Sequence, residues 1–89
     1  MQTYSIHNNP EHTRFETQVE GYTAVLDYTL RDDGVMQIDY VLVPSEIGGR
    51  GIGGALVKAA VDWADAEGLR IHPICGFARR AIEKMNERR

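Results

Sequence analysis

Seven residues in the middle of the chain, Gly48-Gly49-Arg50-Gly51-Ile52-Gly53-Gly54, hold five of its nine glycines and constrain everything on either side. No sheet interior accommodates such a stretch, and Pro44 just ahead of it lacks a backbone donor, so strand pairing must stop there. Beyond it, Ile52, Leu56, Ala59, Ala60, Trp63 and Ala64 recur at spacings of three and four, largely opposite Lys58, Asp62, Asp65 and Glu67. That pattern predicts an amphipathic helix of about four turns that starts at Arg50 or Gly51 and is ended by Gly68. The glycines therefore turn a strand into a helix.

Upstream, residues 13–19 alternate Phe15, Thr17 and Val19 with Arg14, Glu16 and Gln18, the period-two pattern of a half-exposed strand. Glu20-Gly21 turns the chain into residues 22–30, where Tyr22, Ala24, Leu26, Tyr28 and Leu30 share one side. Asp32-Asp33-Gly34 then signals a hairpin into a more central strand over 35–43. A frayed strand is expected at Tyr4–His7. Downstream, residues 70–74 read as a short strand limited by Pro73, and residues 76–88 as a helix burying Phe77, Ala81, Ile82 and Met85. The expected class is α/β in the α+β sense: an antiparallel meander, a helix, a short strand and a closing helix. With 89 residues the chain is expected to form one domain, 1–89, whose thin core leaves a pocket that is open or completed by a ligand or partner.

Ten basic against thirteen acidic residues give a net charge of −3 and a pI near 5.5, the wrong sign for a protein that lives on phosphate backbones. Nucleic acid is not an expected partner. Cys75, the single cysteine, cannot form an internal disulfide or a thiolate-rich zinc site, and His7, His12 and His72 lack metal-binding spacing, so no metal is expected. With no bilayer-length apolar run and no signal-like start, the expected location is cytoplasmic, away from membranes.

Gly49, Gly51 and Gly54 satisfy G-x-G-x-x-G, but not in the setting a dinucleotide fold requires, because Pro44 to Ile47 intervene and the strands before them form a hairpin. Nor do the glycines make a Walker loop, since Ala55-Leu56 stands where Lys and Ser or Thr belong. Two readings remain. Side-chain-free residues at a helix start can close on an anion, a pyrophosphate being the natural guest. Alternatively the glycines only make a tight connection and let the helix lie close on the sheet.

Val43-Pro44, Gly49-Arg50-Gly51-Ile52-Gly53, Leu56-Val57 and the alanine-rich helix resemble the acetyl-CoA loop of the GNAT N-acetyltransferase superfamily. The short chain and Pro73-Ile74-Cys75 are similar to its small single-domain subfamily, and the resemblance spans residues 13–86. It implies a compact GNAT-like fold, acetyl-CoA as cofactor, and transfer of the acetyl group to an amine whose identity is not legible. It also implies that Gly49, Arg50, Gly51, Ile52, Gly53 and Gly54 hold the pyrophosphate, and that the cofactor arm runs past Leu42 and Val43 between splayed strands. Two departures matter: Gly48 stands where the superfamily loop usually opens with Arg or Gln, and Tyr40-Val41-Leu42 replaces the usual His-Thr-Glu before Val-Pro.

The resemblance makes Cys75 a candidate catalytic residue, and a strand-to-helix junction there favours a thiolate. The plain alternative is a small buried hydrophobe. Tyr40 is the second candidate, as a hydroxyl able to protonate a leaving thiolate; Tyr28, His72, Asp27 and Asp39 are more simply core or solvated sheet residues. Arg79, Arg80, Lys84, Arg88 and Arg89 concentrate positive charge in the last helix, within reach of a coenzyme phosphate. The expected partners are acetyl-CoA and an amine or protein acceptor, with a second copy of the chain as a further candidate. The rival function is a non-catalytic acyl-CoA-binding or protein-interaction module. If transfer occurs, the small size predicts slow turnover of free amines without a partner surface.

Overall fold

A computed structural model describes residues 4–87. Its elements run β1 (His7–Asn9), β2 (Arg14–Val19), β3 (Tyr22–Leu30), β4 (Val35–Leu42), α1 (Ile52–Ala66), β5 (Arg70–Pro73) and α2 (Gly76–Glu87). The strands form one mixed sheet in chain order: β1 to β4 pair antiparallel, and β5 joins the edge parallel to β4. The frayed strand expected at Tyr4–His7 lies later, at His7–Asn9, where Asn8 pairs with Phe15. The expected end of α2 at Arg88 lies outside the described residues, together with Arg89.

Period-two alternation sends Phe15 and Thr17 of β2, Ala24, Leu26 and Tyr28 of β3, and Met36 and Ile38 of β4 to one face, where all are buried. On this face lie Ile52, Leu56, Val57, Ala60 and Ala64 of α1 and Ala78 of α2, making a single apolar cluster. Trp63 completes an aromatic group with Phe15 and Tyr28, its ring centroid 6.0 and 5.8 Å from theirs, and this fixes the far half of α1 on the sheet. Tyr22 and Leu30, expected on the same side as Ala24, Leu26 and Tyr28, stand at the two ends of β3 and are 41% and 47% exposed. α1 ends as expected: Gly68 takes φ +71°, a conformation L side chains rarely adopt, and its N–H reaches the Asp65 carbonyl.

Two irregularities position the site. Asp27 faces Tyr40 while Tyr28 faces Ile38, so Asp39 is an extra residue in β4, and the strand bends there. Pairing with β5 stops at Ile38 and Pro73, although β4 continues to Leu42. Both Ile74 and Cys75 donate their N–H groups to the Ile38 carbonyl, at 3.0 and 3.3 Å, and close the fork at its base. Past that point β4 and the chain after β5 diverge.

Candidate functional site

The glycine loop begins where β4 ends. Pro44 leads into a single 3-10 turn, Ser45–Ile47, closed by Ile47 N–H to the Pro44 carbonyl at 3.1 Å, and the Ile47 side chain is sunk in the core. This anchors one end of the loop. Tyr4 holds the other, its hydroxyl donating to the Arg50 carbonyl at 2.6 Å. Between them Gly49 and Gly51 take φ +74° and +77°, conformations that only glycine adopts freely. Gly51 caps α1 without any side-chain cap hydrogen bond, and the first helical bond runs from Ala55 N–H to its carbonyl at 3.1 Å. The N–H groups of Ile52, Gly53 and Gly54 therefore have no partner within the helix, and no acidic residue stands in its first turn. A positive dipole end is left clear for an anion.

These residues line a hollow of about 280 Å³ bounded by Val43, Ile47, the loop and Phe77. Outside it a cleft separates α1 from α2, with adjoining parts of about 480 and 540 Å³ that share Gly51, Gly54, Ala81 and Lys84. Lys58 and Arg80 add two further cations, and no acidic side chain lines either part. Lys58 is already engaged with Asp62 at 2.8 Å, one turn along α1.

The expected loop residues do not all play the same part. Gly54 is exposed, lines every one of these spaces, and a Cβ added there would meet nothing within 4 Å, so its open side faces the cleft. Gly53 is buried, and a Cβ would lie 2.7 Å from Cζ of Phe77. Its missing side chain makes room for the Phe77 ring. Ile52 is only 2% exposed, and its side chain belongs to the core, leaving its N–H for the loop. Arg50 does not point a free cation into the hollow: its Nη1 and Nη2 donate to the two carboxylate oxygens of Glu20, the longer at 3.3 Å. That bond, together with the attraction between the charges, holds the Glu20 carboxyl below its ordinary pKa and raises that of Arg50.

Val43 lines the loop hollow, whereas Leu42 does not; it pairs with Val25 and is 58% exposed. Tyr40 is likewise away from the glycines. Its partner in register is Asp27, on the face turned from the helices, and the Asp27 carboxylate beside its hydroxyl pushes the Tyr40 pKa up, so the phenol stays protonated. Asp27 is also held by Arg14, Nε to Oδ1 at 3.1 Å, and Asp39 accepts from Thr29 and Gln37 at 2.7 and 2.8 Å. Both are structural carboxylates of a polar sheet face, and His72 is exposed opposite Gln37. Cys75 is half-buried and unpaired; its carbonyl accepts the first bond of α2, from Arg79 N–H at 3.0 Å, as the junction reading requires. It lines neither the loop hollow nor the cleft.

Among the described residues no group of three histidine, cysteine or acidic side chains is placed to hold a metal ion, and no helix is long and apolar enough to cross a membrane. Comparison with curated proteins returns no match. A family model described as GCN5-related N-acetyl-transferase matches residues 14–89. The chain belongs to this family. The matched span starts with β2 and takes in the sheet from there on, the glycine loop, α1, the fork and α2, so the fork and loop are parts of a GCN5-related fold. Membership makes the protein an acetyltransferase by family. Two features of this GCN5-related chain escape sequence reasoning: the Glu20–Arg50 pair and the seat of Phe77 on Gly53. Both join residues more than twenty positions apart, and no local periodicity encodes them.

Proposed function

We propose that the protein binds acetyl-CoA at the glycine loop and transfers the acetyl group to an amine. The observation that carries this reading is the set of unpartnered N–H groups at the start of α1, opening onto a cleft lined by Lys58, Arg80 and Lys84 and by no acid. Gly49, Gly51 and Gly54 suit a pyrophosphate, since backbone donors approach it unobstructed; the cleft cations suit the remaining phosphate, and the fork past Ile38 suits the arm. When bound, acetyl-CoA supplies a thioester open to attack by an amine. Val43 and the loop orient the arm, and the N–H groups at the start of α1 hold the pyrophosphate. Cys75, at the head of α2, is the nucleophile candidate for a route through the protein.

The fit to the coenzyme is tested by calorimetry, in which coenzyme A binds wild type with a stoichiometry of one per chain and inorganic pyrophosphate competes. Absence of binding sinks the reading. Catalysis is tested by thiol release from acetyl-CoA with a panel of amines, comparing wild type with Cys75→Ala. One observation favours the rival, a module that binds acyl-CoA without turnover: Tyr40 sits on the opposite sheet face, and Cys75 lines neither hollow nor cleft. Binding without thiol release for every amine would establish that rival.

A further inference from the structure

The loop hollow and the α1–α2 cleft have three residues in common: Gly51, Gly54 and Phe77. Phe77 is thus part of the lining of both, and Cys75, two residues earlier, lines neither. The ring rests on Gly53, whose added Cβ would come within 2.7 Å of Cζ and 2.9 Å of Cε2. A glycine inside a helix is unfavourable unless something needs the space, and here the ring does. Yet Phe77 is 43% exposed, and Ala78 is the only fully buried described residue of α2, so the outer side of the ring has little to hold it. Its side chain carries no polar atom, and it can swing away without breaking a hydrogen bond.

We infer that Phe77 is a gate: seated on Gly53 it closes its side of the loop hollow, and the coenzyme arm passes out of the loop only when the ring swings off that seat. This rests on the coenzyme reading above. The seat defines a closed state, and a ligand needing the open state binds with its affinity reduced by the open fraction. Gly53→Ala places a methyl group in the seat. Because the atoms it meets are the far end of the ring, the ring yields and the helix does not.

The test uses ring-labelled phenylalanine, since the chain has only two, Phe15 and Phe77, and Phe15 is a buried reference. In the free protein a nuclear Overhauser contact is expected to join the Phe77 ring to the Gly53 Hα atoms. Saturating coenzyme A is expected to abolish that contact and shift the Phe77 resonances. The fragment 3′,5′-ADP, which lacks the arm, is expected to move loop amides and leave the contact intact. Gly53→Ala and Phe77→Ala are each expected to raise the association rate constant for coenzyme A about ten-fold, as for an open state populated near a tenth. A contact that persists under saturating coenzyme A, with loop amides shifted, overturns the gate and leaves the coenzyme reading standing. Unchanged association rates in both variants overturn it as well. Loop amides that respond to neither probe overturn the coenzyme reading, and the gate with it.

Discussion

The two helices wall the same cleft and are held in opposite ways. α1 sinks Ile52, Leu56, Val57, Ala60 and Ala64 into the core and is fixed at Trp63 by two aromatic neighbours. α2 sinks Ala78 alone, while Ala81, Ile82 and Met85 stay half-buried and Phe77, seated on Gly53, keeps 43% of its surface exposed. The fixed wall carries the backbone donors, which are useful only if their direction does not change on binding. The lightly held wall carries Arg80, Lys84 and Phe77, side chains that on the proposed reading adjust to the ligand. Rigidity and adaptability are divided between neighbouring helices.

The sharpest way to break this comparison is to empty each wall. Leu56→Ala is expected to cost about 2–5 kcal/mol, because the fully buried site leaves a cavity. Met85→Ala on α2 is expected to cost roughly 1 kcal/mol. Urea unfolding measures both, and equal losses would show that α2 is as much a part of the core as α1. Native-state hydrogen exchange should agree, with α2 amides opening well below the global unfolding free energy.

The next largest effects separate the two kinds of glycine. At Gly51 the backbone itself requires glycine, so Gly51→Val is expected to cost about 1–2 kcal/mol and to weaken coenzyme A binding at least about ten-fold. At Gly54 the backbone is ordinary and nothing lies within 4 Å of an added Cβ, so Gly54→Ala should stabilise α1 by about 0.5–1 kcal/mol. If coenzyme affinity nevertheless falls in Gly54→Ala, the ligand approaches that side of the helix. If affinity is unchanged while the fold is more stable, Gly54 only joins strand to helix, and the anion lies elsewhere.

How much of this was legible beforehand follows the range of each interaction. The meander, the span of α1 and its Gly68 stop follow from periodicity and local backbone preference, and the structure agrees within a residue or two. Loop, helix start and Cys75 junction were legible for the same reason. The bulge at Asp39 was not, because it depends on the register against β3, and the bend it introduces accompanies the early end of the β5 ladder. The side of the sheet on which Tyr40 falls is set by that extra residue. Phe77, expected inside by helical spacing, is drawn instead onto Gly53 at the mouth of the site.

Cleft charges come third. Arg80→Ala and Lys84→Ala should each weaken coenzyme A several-fold at low salt, with stability unchanged within about 0.5 kcal/mol and the effect shrinking as salt rises. Lys58→Ala should do less, since Asp62 already occupies that ammonium. Calorimetry at two ionic strengths ranks the three, and a dominant Lys58 would mean that the phosphate sits on the fixed wall.

The smallest effect concerns the cation that the loop keeps out of reach. Glu20 binds Arg50 from the β2–β3 turn, and on the proposed reading the coenzyme phosphate competes with that carboxylate for Arg50. Glu20→Gln frees Arg50, and coenzyme affinity at neutral pH is expected to rise about two-fold, the scale of an exposed ion pair. The pH dependence of stability has a definite sign. The Glu20 carboxyl is held below its unfolded value of 4.5, so the pair stabilises the fold above that pH, and the contribution is lost as pH falls through the lowered value. Thermal melts of wild type and Glu20→Gln should therefore differ slightly at neutral pH and converge in acid. A two-fold gain in coenzyme affinity together with that convergence identifies Glu20 as a competitor for the ligand's own partner. Weaker binding in Glu20→Gln would mean that the pair holds the loop in its binding shape, and that Arg50 serves the fixed wall by anchoring it.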